Sequence, residues 1–274
     1  MGARRRASGS SGRPSDGQHF LRSALLASEL VDGSGIGLDD IVVEIGGGTG
    51  RLTGPLARRA GRVIVVERDA ALVGLLTDRF GASSNVNVLH ANALQVPLPS
   101  EPFRVFGNLP FGFGTRILRR LLDDPGSALQ RIDALLQFEV ARKRAQLVPA
   151  TLQSIGWAPW WEFRLVRRVH RTAFDPVPSV DAGLLSITRR DPSLLPATMR
   201  RPFLTAVARG FSSASTPVAV TFRPRLRTQT WRRIAADRGL PRDARPADLD
   251  PLDWVALFRV LPQDSARPAR GRAT

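Results

Sequence analysis

Residues 105–115 read VFGNLPFGFGT, so Asn108, Leu109, Pro110 and Phe111 come straight after the largely apolar stretch 103–106. An amide, a main-chain carbonyl, a rigid ring and an aromatic side chain in a row suit a flat, polar ligand better than a packed core. The exocyclic amine of a purine is such a ligand, and a poor nucleophile, because its lone pair is spread into the ring. Acceptors that hold both of its hydrogens draw the nitrogen toward tetrahedral geometry. The Asn108 side-chain oxygen and the Leu109 carbonyl are two such acceptors. Pro110 fixes its own φ and brings no competing N–H, and Phe111 can stack on a base, worth about 1–3 kcal/mol in single-strand binders. A proline turn carrying a half-buried Phe is the competing reading of the same four residues.

Three further stretches carry candidate chemistry. EIGGGTG, Glu44 to Gly50, holds glycines at 46, 48 and 50, which permit a tight bend and a close backbone approach to a ligand. A helix starting beyond them would favour an anionic group. The spacing is G-x-G-x-G rather than the dinucleotide G-x-G-x-x-G, and a purely structural turn remains an alternative. Glu67 lies about twenty residues further on, where an acid at a strand end can accept hydrogen bonds from a ribose diol. Asn92, followed by Ala93 and Leu94, could read an adenine edge or simply occupy a turn. There is no cysteine, and the three histidines stand apart at 19, 90 and 170, so no thiol chemistry and no metal site are expected. Trp157, Trp160 and Trp161 are expected to pack as a cap rather than to stack on nucleic acid.

The elements that must position these residues follow from periodicity. Short apolar strands are predicted at 41–45, 62–67, 86–91, 103–108, 132–138, 162–170 and 182–190. Helices are predicted at 51–61, 69–80 with Asp69 as cap, 116–124 and 139–147. This alternation gives a mostly parallel, doubly wound α/β sheet closed by an antiparallel pair. Beyond 190 only helices are predicted, at 197–211, 230–239 and 251–261. The expected organisation is a basic tail (1–17), an α/β domain (18–190), a basic helical domain (191–262) and a second basic tail (263–274), with both tails disordered.

Net charge is +16, carried by 39 Arg and a single Lys. The surplus is uneven: residues 182–262 hold 14 Arg against six Asp, whereas residues 18–181 are nearly balanced. A balanced block followed by a basic one suits a catalytic core joined to a lobe that meets a polyanion, most simply nucleic acid. Arg200, Arg201, Arg223, Arg225 and Arg227 are candidate contacts. No apolar run is long enough to span a bilayer, Arg22 and Glu29 interrupt the one segment resembling a signal sequence, and a cytoplasmic monomer is expected.

Taken in order, QHFL (18–21), EIGGGTG (44–50), Glu67, NLPF (108–111), QFEVARK (137–143) and FDPVPSVDAG (174–183) make the chain resemble the rRNA adenine N6-methyltransferases, the group containing the Erm and KsgA enzymes. The resemblance runs from about 18 to 262. It implies a class I S-adenosylmethionine-dependent methyltransferase fold, Rossmann-like with seven strands, and a small all-helical C-terminal domain. It implies that Asn108, Leu109, Pro110 and Phe111 hold the target adenine. It also implies that S-adenosylmethionine is bound by Gln18, His19, Leu21, Glu44, Gly46, Gly48, Glu67, Arg68, Asn92, Ala93 and Asn108. Asn92 stands where the family usually has Asp; it can accept through its oxygen but without charge assistance, which about doubles such a bond. GFGTRIL after the motif lacks the proline common in the KsgA type, and PLDWVALFRVL (251–261) is similar to the Erm branch. The Erm resemblance implies methylation of one 23S rRNA adenosine near the peptide exit tunnel and resistance to macrolides, lincosamides and type B streptogramins. A KsgA-like enzyme acting on 16S rRNA and a non-catalytic RNA-binding homologue are the alternatives.

Overall fold

The computed structural model describes residues 18–146, 148 and 151–262; the two expected disordered tails lie outside the described residues. The chain order is β1 (Phe20–Leu21), α1 (Ala24–Asp32), β2 (Ile41–Ile45), α2 (Thr53–Arg59), β3 (Arg62–Glu67), α3 (Ala70–Phe80), β4 (Val86–His90), β5 (Phe103–Asn108), α4 (Gly114–Leu122), β6 (Leu129–Gln137), α5 (Phe138–Ala145), α6 (Leu152–Trp157), β7 (Trp161–Val169), β8 (Phe174–Asp175) and β9 (Ala182–Arg189), then α7 (Arg200–Phe211), α8 (Val218–Thr221), α9 (Thr228–Asp237) and α10 (Pro251–Val260).

Seven strands form one sheet in the order β4-β3-β2-β5-β6-β9-β7. The pairs from β4 through β6 are parallel, and β9 runs antiparallel to both β6 and β7. The inner strands are short apolar runs because both faces of the sheet are covered. Alternation assigns each side chain to a face. Val42, Val63, Val65 and Phe106 pack with Leu30, Leu56, Leu76 and Phe80 of α1–α3. Val43, Ile45, Val105 and Ile132 pack with Leu118 and Leu121 of α4 on the other face. Asp69 caps α3 as expected, accepting from Ala71 N and Leu72 N at 2.9 and 3.2 Å. Phe138, expected to end a strand, instead begins α5, because β6 stops at Gln137, whose partner Ala182 is the first residue of β9.

After Arg189 the described residues contain helices and no strand. Their core is continuous with that of the sheet: Phe203, Trp231 and Trp254 belong to the same apolar cluster as Val105 and Ile132. Trp157, Trp160 and Trp161 are buried at this junction, with the Trp160 indole N–H donating to Leu195 O at 2.7 Å and that of Trp157 to Asp123 at 2.9 Å. These tryptophans are therefore packed, as expected, and present no stacking surface. Arg200, a candidate RNA contact, is paired with Asp123 at 2.8 Å and ties α7 to the end of α4.

Within the helical part, Gly210 lets α7 lie against the indole of Trp254 on α10. A Cβ there would sit 3.0 Å from Trp254 Cζ3 and 3.2 Å from Cζ2. Gly210→Ala is expected to lower stability by about 1–3 kcal/mol through overpacking. Urea unfolding followed by tryptophan fluorescence checks this, and an unchanged midpoint would show that the α7–α10 contact is loose.

Candidate active site

Strand order reverses between β2 and β5, which makes the carboxyl ends of these two strands the expected ligand position in an open α/β sheet. The loop after β2 begins at Gly46 and the NLPF stretch follows β5. The two are adjacent because Ile45 pairs with Gly107. A cavity of ≈ 220 Å³ opens there.

Asn108, Leu109, Pro110 and Phe111 all line it. The Asn108 side-chain amide donates from Nδ2 to the backbone carbonyl of His19 at 2.6 Å, and its Oδ1 makes no hydrogen bond to another described residue. Leu109 N–H is held by Leu135 O at 3.0 Å, and the Leu109 side chain is buried. Its carbonyl accepts no backbone hydrogen bond among the described residues, whereas Pro110 O accepts from Phe113 N and Gly114 N at 2.9 and 3.0 Å to start α4. Two carbonyl-type acceptors on consecutive residues are thus left without a partner among the described residues, and the Phe111 ring of the same stretch lies 5.5 Å from the His19 imidazole centroid.

The glycine loop forms a cradle. Gly46 and Gly48 have φ of 78° and 53°, values that favour glycine, and a Cβ on Gly48 would stand 2.9 Å from the Phe20 ring. Glu67 accepts from Gly48 N through Oε2 at 3.0 Å and from Arg68 N and Asp69 N through Oε1 at 2.8 and 3.0 Å. It braces the loop and keeps acceptor capacity on Oε2. Asn92 lines the cavity, but its Oδ1 already accepts from Leu94 N at 2.9 Å.

Of the residues expected to meet the cofactor, Gln18, His19, Gly46, Gly48, Glu67, Arg68, Asn92, Ala93 and Asn108 share this cavity wall. Leu21 and Glu44 do not. Leu21 is buried in the α1–α3 core and pairs with Phe174. Neighbours on a strand face opposite sides, so Phe20 takes the cavity position instead. Glu44 points the same way as Val42, into the layer beneath the loop. It is fully buried, and neither carboxyl oxygen has a hydrogen-bond partner. Phe113, Arg116 and Ile117 also line the cavity, and the sequence reading did not single them out. Their signal is spacing: Phe113 is two residues past Phe111 and immediately precedes α4, and Arg116 is one turn on. His90 Nε2 sits 3.1 Å from Arg68 O and His170 lies beside Asp181, both outside the cavity wall. Among the described residues no cluster of His, Asp and Glu could hold a metal ion.

Burial pushes the Glu44 carboxyl up to about 8 from its ordinary 4.5, with the charge of Glu67 adding and Thr53 opposing. The folded protein then keeps a proton that the unfolded chain has released. Stability therefore falls as pH rises from the ordinary carboxyl value through about 8. Glu44→Gln is expected to remove this loss: between about pH 6 and about pH 9 its unfolding midpoint should shift less than that of the wild type. An equal shift in both proteins would contradict a proton on Glu44.

The comparisons agree with this geometry. The family described as ribosomal RNA adenine dimethylase matches residues 9–261. An rRNA adenine N-6-methyltransferase of Corynebacterium diphtheriae is 37% identical over 206 residues, covering 74% of this chain and 78% of that protein. The mycinamicin-resistance protein MyrB of Micromonospora griseorubida is 33% identical over 263 residues, 94% of this chain and 82% of MyrB. The crystal structure of the 23S rRNA methyltransferase ErmE matches with a TM-score of 0.80 at 27% identity, covering 89% of this chain and 100% of that one. The sheet is that of the class I methyltransferases, which implies S-adenosylmethionine as cofactor. The chain belongs to the ribosomal RNA adenine dimethylase family and is a methyltransferase of rRNA adenine.

Proposed function

We propose that this protein methylates the N6 amine of one adenosine in 23S rRNA and thereby makes the ribosome resistant to macrolides, lincosamides and type B streptogramins. The reading rests above all on two acceptors that have no hydrogen-bond partner among the described residues, Asn108 Oδ1 and Leu109 O, on residues that line the cavity with Phe111. The resistance protein MyrB and the 23S enzyme ErmE, as relatives spanning most of the chain, support the choice of substrate.

The residues present fit the implied cofactor. At Gly46 a Cβ would meet only Asn108 O, at 3.7 Å, so the backbone there is open to close approach, whereas at Gly48 it would run into the Phe20 ring. Glu67 Oε2 would offer an acceptor to ribose hydroxyls, Gln18 and His19 would hold the methionine end, and Asn92 and Ala93 would hold the adenine. Because the Asn92 oxygen is shared with Leu94 N, the adenine amine receives a neutral and divided acceptor there. S-adenosylmethionine supplies an electrophilic methyl carbon, which the amine nitrogen takes as the carbon–sulfur bond breaks.

The rest is the work of this chain. The target adenosine leaves its stack at a cost of a few kcal/mol, least where the RNA is already single-stranded. Phe111 stacks on the base. Asn108 Oδ1 and Leu109 O accept the two amine hydrogens, which localises the lone pair on nitrogen. Pro110 contributes no donor that would compete. The proton becomes acidic only once the nitrogen is alkylated, and water takes it, so no side chain acts as base. Alignment and matched acceptors carry the rate. We assign residues 18–190 to this chemistry and residues 191–262 to RNA contact, where Arg201 and Arg225 line one shared depression with Arg209.

The test is expression of the wild type and of Asn108→Ala in a macrolide-sensitive bacterium. The wild type is expected to give resistance and a primer-extension stop at a single 23S adenosine. Asn108→Ala should lose about 100-fold or more in turnover at saturating S-adenosylmethionine, with a smaller loss of S-adenosylmethionine affinity, measured by calorimetry, from the lost tether to His19. Methylation confined to 16S rRNA would overturn the substrate, and full turnover by Asn108→Ala would overturn the acceptor role.

A further inference from the structure

The cavity wall contains two cations, Arg68 and Arg116, and one carboxylate, Glu67, which accepts from three backbone N–H groups and pairs with neither guanidinium. Neither guanidinium pairs with a carboxylate of a described residue. This sets them apart from Arg59, Arg104 and Arg200, which pair with Asp32, Asp40 and Asp123. Both guanidiniums instead lie over one ring, that of Phe113, at 5.7 and 5.6 Å from its centroid. Phe113 is 38% exposed and precedes α4 without making a side-chain cap.

Two like charges gathered on an exposed aromatic ring, neither paired with a carboxylate among the described residues, make a seat for an anion. The ring's negative face holds the cations that would otherwise repel one another. Position identifies the anion. A nucleotide that inserts its base into a cavity leaves its own phosphate groups at the rim, and these two arginines are the cations of that rim. Guanidinium matches phosphate with paired N–H donors. A neutral adenine ring would leave both charges uncompensated.

We infer that Arg116 and Arg68, positioned by Phe113, grip the phosphate groups flanking the adenosine that enters the cavity, which takes Arg68 away from the cofactor role that the resemblance implies for it. This rests on the proposed insertion of a target adenosine and assigns what holds its backbone.

The test uses the full chain, S-adenosylmethionine and purified ribosomal RNA of whichever subunit the wild type methylates. Arg116→Ala is expected to raise the KM for RNA about tenfold, the size of one lost charged hydrogen bond. It should also make the salt dependence of RNA binding shallower by about 0.7 per lost contact. S-adenosylmethionine affinity should not change. Arg116→Lys should recover the salt slope. Phe113→Leu should raise the KM, and Phe113→Tyr should restore it, because Tyr keeps the aromatic face. A loss of S-adenosylmethionine affinity with RNA binding intact would place the cluster over the cofactor and overturn the inference. An unchanged KM and salt slope would show two merely solvated arginines and overturn it as well. Wild-type methylation of 16S in place of 23S rRNA would fail the proposed substrate alone, since these variants would still decide the clamp on 16S.

Discussion

The hydrogen bond from Asn108 Nδ2 to His19 O is the constraint on which the site depends. A primary amide offers both a donor and an acceptor, and a purine amine needs the acceptor. Committing the nitrogen to a backbone carbonyl fixes which end of the amide is left for a ligand. The same bond ties the segment before β1 to the end of β5, residues 89 positions apart in sequence. The backbone supplies the second acceptor at Leu109, whose side chain is anchored in the core so that its carbonyl is held in place.

Several distant stretches cooperate to keep that segment where it is. His19 Nδ1 lies 2.7 Å from Pro176 O, Arg22 reaches Phe174 O and Asp175, and β1 pairs with β8. The stretch FDPVPSVDAG thus acts as the dock for QHFL, which explains why two short motifs separated by about 150 residues occur together. The electrostatics follow the same economy. Glu67 accepts from Gly48 N of the glycine loop and from Arg68 N and Asp69 N in its own turn, and so ties the two loops together. The neighbouring Glu44, fully buried with only Thr53 opposing the effect, holds a proton instead, as a carboxyl does when its burial is not compensated.

Much of this was legible in the sequence because it depends on local physics. Five of the seven sheet strands begin where apolar alternation and turn residues place them, among them 41–45, 62–67 and 103–108. The Asp69 cap is a near-neighbour effect, and the NLPF stretch announces itself by residue types that packing alone would not choose. What was not legible depends on partners far along the chain. Leu21 and Phe20 exchange roles because the pairing of β1 with β8, invisible in periodicity, sets which one faces inward. Glu44 reads as a ligand-loop residue by position, yet strand alternation sends its carboxyl beneath the loop. Helix α1 is not among the expected elements, and α6 and α8 are too short to show a period. Phe113 and Arg116 join the cavity because the Pro110 turn leads straight into α4, whose first turn lines it.

The most direct measurement is a crystal structure of the protein with S-adenosylhomocysteine and an RNA fragment carrying the target adenosine. The expected result is an extruded adenine whose exocyclic amine donates to Asn108 Oδ1 and Leu109 O, with Phe111 against the ring and the Asn108 nitrogen still bound to His19 O. An adenine seated elsewhere, or an Asn108 amide turned so that its nitrogen faces the base, would contradict the acceptor pair as the source of reactivity.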